Sequence, residues 1–91
     1  MWLSVVPVVV YSNADVLKKI ILKENKDKSG IYRWTNLINN KSYLGRSTCL
    51  DKRFRCYFNV LFLENTNMLI YKALLKYGYS NFKLEILMMV N

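Results

Sequence analysis

The segment 30–53 constrains the fold of this chain more than any other stretch, because it places a turn signal between two strand-forming runs. Asn39 and Asn40 are a two-residue turn signal of the kind that closes a β-hairpin. The runs 31–38 and 42–44 on either side are predicted to be its strands. Tyr32 lies near the start of the first run and Tyr43 near the end of the second. The hairpin therefore brings two tyrosines to one end of a ribbon rich in cations.

The residues before this hairpin predict a short extension. The β-branched run 5–11 indicates an extended segment, and Pro7 favours the edge of a sheet because proline cannot donate to a ladder. A pattern that resembles a capping box at 12–15 precedes apolar residues at helical spacing, which predicts a helix over 14–25. The polar stretch 25–30 is the clearest boundary, so residues 1–28 are assigned to an extension and residues 29–91 to the main domain.

The residues after the hairpin predict two helices and a strand. The first helix, capped by Ser47 or Thr48, runs to about residue 63. The second helix covers 68–77, and Gly78 is its predicted left-handed cap. The residues predicted to face the core from this helix are Leu69, Ala73, Leu74 and Tyr77. The alternating run 82–87 is a strand that has to return to the hairpin. The prediction is an α+β domain with a small three-stranded antiparallel sheet flanked by helices.

Charge is concentrated around the hairpin. The chain has a formal net charge of +8, and residues 26–57 alone carry eight basic and two acidic residues. A localised basic patch favours a polyanion such as nucleic acid, although a solvated basic face without a partner gives the same composition.

Several other classes of site and location are disfavoured. The chain has no histidine and two cysteines, Cys49 and Cys56, so a structural zinc site or a Cys-His nucleophile is not expected. The cysteines fit packing positions in a reducing compartment. The apolar run 1–11 contains Pro7 and is about half the length that a membrane-spanning helix requires. It also lacks the basic start and the small residues of a secretory signal.

Two short motifs lie on the two arms of the hairpin. Gly30-Ile31-Tyr32 is followed, after ten intervening residues, by Tyr43-Leu44-Gly45, and then by Arg53 on the next helix. These residues and their spacing resemble the GIY-YIG nuclease family. The stretches 72–78 and 82–87 are similar to organellar intron-encoded homing endonucleases of that family, and 7–15 is similar to the leader of fungal mitochondrial members. The resemblance covers nearly the whole chain and implies a mitochondrial protein that cleaves double-stranded DNA, with no small-molecule substrate.

The resemblance also implies roles for individual residues. Tyr32 and Tyr43 would line the active site, Arg53 would contact the scissile phosphate, and Tyr57 would take a helix position that is often His or Tyr in the family. Lys41, Arg46, Lys52 and Arg55 are the remaining nucleic-acid-binding candidates. A tyrosine with an unperturbed pKa near 10 is a poor base at pH 7. Cations close to the tyrosines, namely Lys41, Arg46 and Arg53, are expected to lower that pKa.

The sequence departs from the family pattern at two places. Leu44 replaces the family Ile, a volume-conserving change of small expected cost. The family also uses a divalent metal, Mg²⁺ or Mn²⁺, held by a Glu on a later helix. That Glu would lie beyond Asn91, and Glu85 in the last strand is not its equivalent.

Two other interpretations remain open. A domain without its metal ligand could hold DNA through its basic face without cutting it, and a decayed fragment would associate through uncovered apolar surface. Salt-dependent DNA binding separates the binding module from the decayed fragment.

Overall fold

A computed structural model describes residues 6–90 of the chain. Its strands are β1 (Val9–Tyr11), β2 (Ser29–Asn36), β3 (Ser42–Ser47) and β4 (Phe82–Val90). Its helices are α1 (Lys18–Glu24), α2 (Leu50–Tyr57), α3 (Val60–Glu64) and α4 (Leu69–Tyr77), and a 3-10 turn at Tyr79–Asn81 leads into β4.

The strands form one antiparallel sheet in the order β1-β4-β2-β3. The α+β class is confirmed, whereas the prediction of three strands is wrong because β1 adds a fourth. Tyr11 lies opposite Leu84, so β1 covers the edge of β4 that the hairpin leaves unpaired. The extended segment is an edge strand, as Pro7 indicated, and β3 forms the other edge. Val5, the first residue of the predicted segment, lies outside the described residues.

The hairpin is confirmed, but its turn is longer than predicted. Five residues, 37–41, connect β2 and β3, and the Asn40 amide donates to the Asn36 carbonyl at 2.8 Å within this turn. Asn40 takes the left-handed conformation with φ 61°. The Asn39 side chain accepts a hydrogen bond from the Lys41 amide at 3.0 Å. The asparagines therefore form the turn through side-chain hydrogen bonds as well as backbone freedom.

β4 returns to pair with β2, as its alternating pattern predicted. It extends to Val90 and contains a bulge, because Ile31 lies opposite Met88 while Tyr32 lies opposite Ile86. Gly30 lies beside this bulge, where a Cβ atom would be 2.0 Å from the Met88 carbonyl oxygen. Residue 30 therefore has to be glycine for reasons of space.

The helices are shorter than the sequence predicted. The helix predicted to reach residue 63 ends at Tyr57, because Asn59 has an extended backbone and its side chain caps α3 by accepting from the Phe62 amide at 3.2 Å. Ser47 and Thr48 do not cap α2, whose N-cap residue is Cys49. Helix α1 begins at Lys18, because Asn13 first forms a turn by accepting from the Asp15 and Val16 amides.

The apolar core lies against one face of the sheet. Its largest buried side chains are aromatic rings or branched aliphatic groups: Tyr32, Trp34, Phe54, Tyr71, Phe82, Ile21, Leu50, Leu63, Leu74, Leu84 and Ile86. Tyr11 and Ala14 belong to the same cluster. The division of the chain at residue 28 remains a prediction, and the residues before it share a sheet and a core with those after it.

On the opposite face of the sheet, Arg33 and Glu85 form an ion pair of 2.9 Å between Nε and Oε1, and both side chains are buried. Leu44 on β3 and Met88 on β4 are about half exposed. Within residues 6–90, none of the helices has both the length and the apolar character needed to cross a bilayer.

Candidate active site

Tyr32 lies in the centre of the sheet and reaches toward its edge. The residue is 1% exposed and lies opposite Gly45 of the edge strand β3. A Cβ atom on Gly45 would be 2.5 Å from the Tyr32 hydroxyl oxygen, so the phenol ring lies directly over the glycine. The backbone of Gly45 has an ordinary φ, since Gly78 is the sole described glycine with a positive value. Gly45 therefore provides space for the ring, and unusual dihedral angles are not its role.

Tyr32, Arg53 and Tyr57 form a hydrogen-bonded cluster. The Tyr32 and Tyr57 hydroxyl oxygens are 2.9 Å apart, and Arg53 Nε donates to the Tyr32 hydroxyl at 3.4 Å. Arg53 and Tyr57 are four residues apart on α2 and therefore project from the same side of the helix. The Arg53 guanidinium also lies 5.7 Å from the Tyr57 ring centroid, a cation–π distance.

Arg53 is the most exposed member of this cluster, being half-buried where the two hydroxyls are buried. Its hydrogen bond to Tyr32 raises its pKa further above an already high value. No described residue accepts from its two terminal NH₂ groups, which are free to bind a ligand. Arg53 is therefore the cation through which an anion would first meet the cluster.

Tyr57 is a neutral phenol held on several sides. Burial raises its pKa well above 10, and the nearby Arg53 charge opposes this shift without overcoming it. Trp34 and Tyr71 each place a ring centroid 5.2 Å from that of Tyr57. The Tyr79 hydroxyl donates to the Tyr57 carbonyl at 2.5 Å. At Tyr57, desolvation of the phenol therefore outweighs the effect of the nearby cation on the pKa.

Tyr43 lies beside the cluster but does not join it. It is half-buried and lies opposite Trp34, two pairs along the ladder from Tyr32 and Gly45. Opposite residues of an antiparallel pair share a face, so Tyr43 and Tyr32 project from the same side of the sheet. Its hydroxyl makes no hydrogen bond with residues 6–90.

The predicted nucleic-acid-binding residues do not lie together. Lys41 is exposed in the hairpin turn, and Arg46 is exposed on β3 opposite Ile31, which puts it on the face away from Tyr32. Lys52 and Arg55 are exposed on α2, and Arg55 lies 4.0 Å from Asp51. The cysteine Cys49 donates to the Asp51 carboxylate at 3.1 Å and lowers its pKa. Among the cations predicted to belong to the site, it is Arg53 that contacts a site tyrosine, through its hydrogen bond to Tyr32.

Tyr71 and Tyr79 are contacts that the sequence interpretation missed. The inward face of α4 was predicted to include Leu69 and Tyr77, but Leu69 is 76% exposed and Tyr77 is half-buried. Ala73 and Leu74 are buried as predicted, and Ile70 and Tyr71 are buried in place of the other two. The spacing of these residues is equally helical, so periodicity alone could not choose between the two faces.

Residues 6–90 do not provide a site for the divalent metal of the family. Three or more metal-ligating side chains do not gather anywhere in that range. Glu85 is paired with Arg33 on the other face of the sheet, and the Asp51 carboxylate accepts hydrogen bonds from Cys49 and the Asp27 amide. These residues therefore do not fit a bound Mg²⁺ or Mn²⁺ at the Tyr32 cluster.

Comparisons with family models, curated proteins and solved structures gave no match to this chain. The GIY-YIG resemblance therefore depends on the motif residues, their spacing and the order of the elements.

Proposed function

We propose that this chain is a GIY-YIG-type DNA endonuclease domain that hydrolyses phosphodiester bonds of double-stranded DNA, in a mitochondrial intron-homing protein. The observation that carries the proposal is the cluster in which Arg53 and Tyr57 both contact the Tyr32 hydroxyl. Tyr32 lies on β2, whereas Arg53 and Tyr57 lie one turn apart on α2, and the family resemblance had assigned all three residues to one site. The net charge of +8 supports a polyanionic substrate.

Arg53 is the phosphate-binding residue in this proposal. Its planar guanidinium offers two parallel N–H donors to a phosphate and stays charged at any working pH. Because Arg53 Nε contacts Tyr32 at the long distance of 3.4 Å, a phosphate can draw the guanidinium outward at little cost. That movement uncovers the Tyr32 hydroxyl, which is otherwise buried.

Tyr32 then orients the attacking water. In hydrolysis the water oxygen forms a bond to phosphorus, the bond from phosphorus to the leaving oxygen breaks, and the water proton passes to the leaving group or to solvent. Tyr57 stays protonated because its pKa is raised, so it holds the Tyr32 oxygen by a hydrogen bond and is not the base. A Mg²⁺ or Mn²⁺ ion supplies Lewis-acid stabilisation in the family, but the described residues do not fit one, and no step is assigned to it.

A DNA-binding module without cleavage is the second candidate. Three or more metal-ligating side chains do not gather within residues 6–90, and this favours the second candidate, because a cluster of tyrosines and one arginine can bind a phosphate without activating water. Both candidates predict DNA binding, and they differ in whether DNA is cut.

A plasmid-nicking assay with Mg²⁺ or Mn²⁺ tests the proposal. The chain is expected to nick supercoiled DNA, and Tyr32→Phe to reduce the rate by about 100-fold or more, the range for a lost acid–base or water-orienting group. Tyr77→Phe is the matched control, since Tyr77 lies at the end of α4 and makes no contact with the cluster among those described.

Three outcomes contradict the proposal that this chain is an endonuclease acting through the Tyr32 cluster. DNA binding without nicking supports the second candidate. If the chain nicks DNA and Tyr32→Phe nicks it at the same rate, the Tyr32 cluster is not the catalytic site. Failure to bind DNA at low salt removes both candidates.

A further inference from the structure

An open cavity of about 440 Å³ lies at the end of the β2–β3 ribbon, remote from the hairpin turn. Its lining combines one arginine with three hydroxyl side chains and two strand residues: Ser29, Gly30, Ile31, Arg46, Ser47 and Thr48. The Tyr32 cluster uses none of these side chains. The cavity is therefore a separate feature of the same hairpin.

The polar groups of this cavity favour an anion. No Asp or Glu lines it, and the Arg46 guanidinium has no ion-pair or hydrogen-bond partner in the described part of the chain. Thr48 is exposed, and its hydroxyl likewise makes no bond to residues 6–90. Ser47 is already committed, because its hydroxyl bonds to the Cys49 amide and carbonyl at 3.0 Å each and so fixes the loop. The Ser29 hydroxyl donates to the Val90 carbonyl at 3.4 Å, so Arg46 and Thr48 are left as donors toward the cavity.

The position of the cavity relates it to the Tyr32 cluster. Gly45, over which the Tyr32 ring lies, directly precedes Arg46 on the edge strand β3. Successive side chains on a strand project from opposite faces, so the two features flank this one edge. A polyanion running past the free edge of β3 could contact Arg53 on one side and Arg46 on the other.

We propose that the Arg46 cavity binds a second, non-scissile phosphodiester group of the nucleic acid backbone. Arg46 supplies bidentate N–H donors and Thr48 a hydroxyl donor, and the glycine at position 30 keeps the cavity floor free of a side chain. This second contact fixes the register of the backbone relative to Arg53, the role that phosphate contacts have in nucleic acid recognition. It rests on the proposed function for the source of the phosphate, but it requires binding and not cleavage.

The test combines DNA affinity with inorganic phosphate as a probe. For Arg46→Gln, the slope of log K against log salt concentration for a short duplex is expected to fall by about 0.9, the value for one lost phosphate contact. Thr48→Val should weaken binding without changing the slope, because it removes a neutral donor. In NMR titrations of the wild-type chain, inorganic phosphate should shift the Arg46 Nε–H and Thr48 amide resonances.

Lys76→Gln is the control, because it removes one positive charge, as Arg46→Gln does. Lys76 lies near the end of α4, next to the 3-10 turn whose Asn81 carbonyl binds Leu37, at the opposite end of β2 from Ser29. An unchanged slope is expected for it. The proposal is overturned if Arg46→Gln keeps the wild-type slope, or if phosphate leaves the cavity resonances unmoved.

Failure of the endonuclease proposal is distinguishable from failure of this one. If the chain does not nick DNA but Arg46→Gln lowers the salt slope by one phosphate contact, the endonuclease proposal fails and the cavity proposal stands. If the chain nicks DNA through Tyr32 and Arg46→Gln keeps the wild-type salt slope, the cavity proposal fails and the endonuclease proposal stands. Phosphate shifts without a change in slope assign the cavity to free phosphate and contradict the backbone contact.

Discussion

Tyr32 reaches the edge of the sheet only because residue 45 has no side chain. The ring atoms Cζ and Cε1 of Tyr32 would lie 2.5 and 2.8 Å from a Cβ atom at that position. Both the ring and its neighbours Phe54 and Tyr57 are buried, with centroids 5.1 and 5.8 Å from that of Tyr32, so the phenol has little room to retreat. The spacing of the motif is therefore a packing requirement as well as a family signature.

Gly45→Ala is expected to destabilise the fold and displace the Tyr32 hydroxyl from Arg53. Overpacking of a filled core costs about 1–3 kcal/mol, and the free energy of unfolding in urea measures it. Leu44→Ala is the control, because Leu44 lies on the opposite face and is 49% exposed. An equal or smaller loss for Gly45→Ala would show that the Tyr32 ring does not occupy this position.

A second cluster of hydrogen bonds attaches β1 to α1. The Tyr11 hydroxyl donates to Glu24 Oε1 at 2.8 Å and accepts from the Asn25 side-chain amide at 3.1 Å. Tyr11 is 3% exposed, and burial raises its pKa to about 12, with the Glu24 hydrogen bond acting in the same direction. The Tyr11 hydroxyl is therefore a titratable group whose protonated form stabilises the contact between β1 and α1.

This cluster predicts a loss of stability at high pH. An unfolded tyrosine loses its proton near pH 10, whereas folded Tyr11 keeps it until about pH 12. Above pH 10 the unfolded chain binds fewer protons than the folded one, so the free energy of unfolding falls as the pH rises through this window. Over the whole window from pH 10 to about pH 12, Tyr11 contributes about 3 kcal/mol to that decline, at 1.36 kcal/mol per pKa unit.

Urea unfolding at pH 8.5 and pH 11 measures this contribution. Tyr11→Phe is expected to be less stable at the lower pH, since Asn25 loses an acceptor, and to decline less between the two. Tyr77→Phe should keep the wild-type decline because it leaves the cluster intact. A Tyr11→Phe chain that declines as steeply as the wild type would contradict the assignment.

The two ends of the described chain meet in one sheet, which makes the domain depend on its first elements. β4 lies between β1 and β2, and Tyr11, Ala14 and Ile21 pack into the core that surrounds Trp34. A domain of this size buries a modest fraction of its surface, so each element is a large part of its stability.

A chain that starts at Ser29 is therefore expected to lose cooperative thermal unfolding and its near-ultraviolet circular dichroism. The deletion exposes the edge of β4 and removes three core residues at once. A chain that starts at Val6 is the control, because it keeps every described element. Cooperative unfolding of the shorter chain near the control temperature would instead support the predicted boundary at residue 28.

The sequence by itself determined the local features of this protein. Turn residues and alternating apolar positions were sufficient for the hairpin, for the strand at 82–87 and for a helix that carries Arg53, since these signals act over a few residues. The family resemblance, which depends on motif residues and their spacing, grouped Tyr32, Tyr43, Arg53 and Tyr57. Asn59 was not recognised as a helix break, because a capping asparagine is also an ordinary helix surface residue.

Tertiary structure decided what depends on distant partners. β1 became a fourth strand because β4 left an edge to cover, and α4 buried Tyr71 rather than Tyr77 because the Tyr57 ring offered a contact. Arg46 and Arg53 are both basic residues near one hairpin, yet the strand pleat and the α2 packing direct them to opposite faces of the sheet. Periodicity is shared by several arrangements of the same residues, and long-range packing selects one of them.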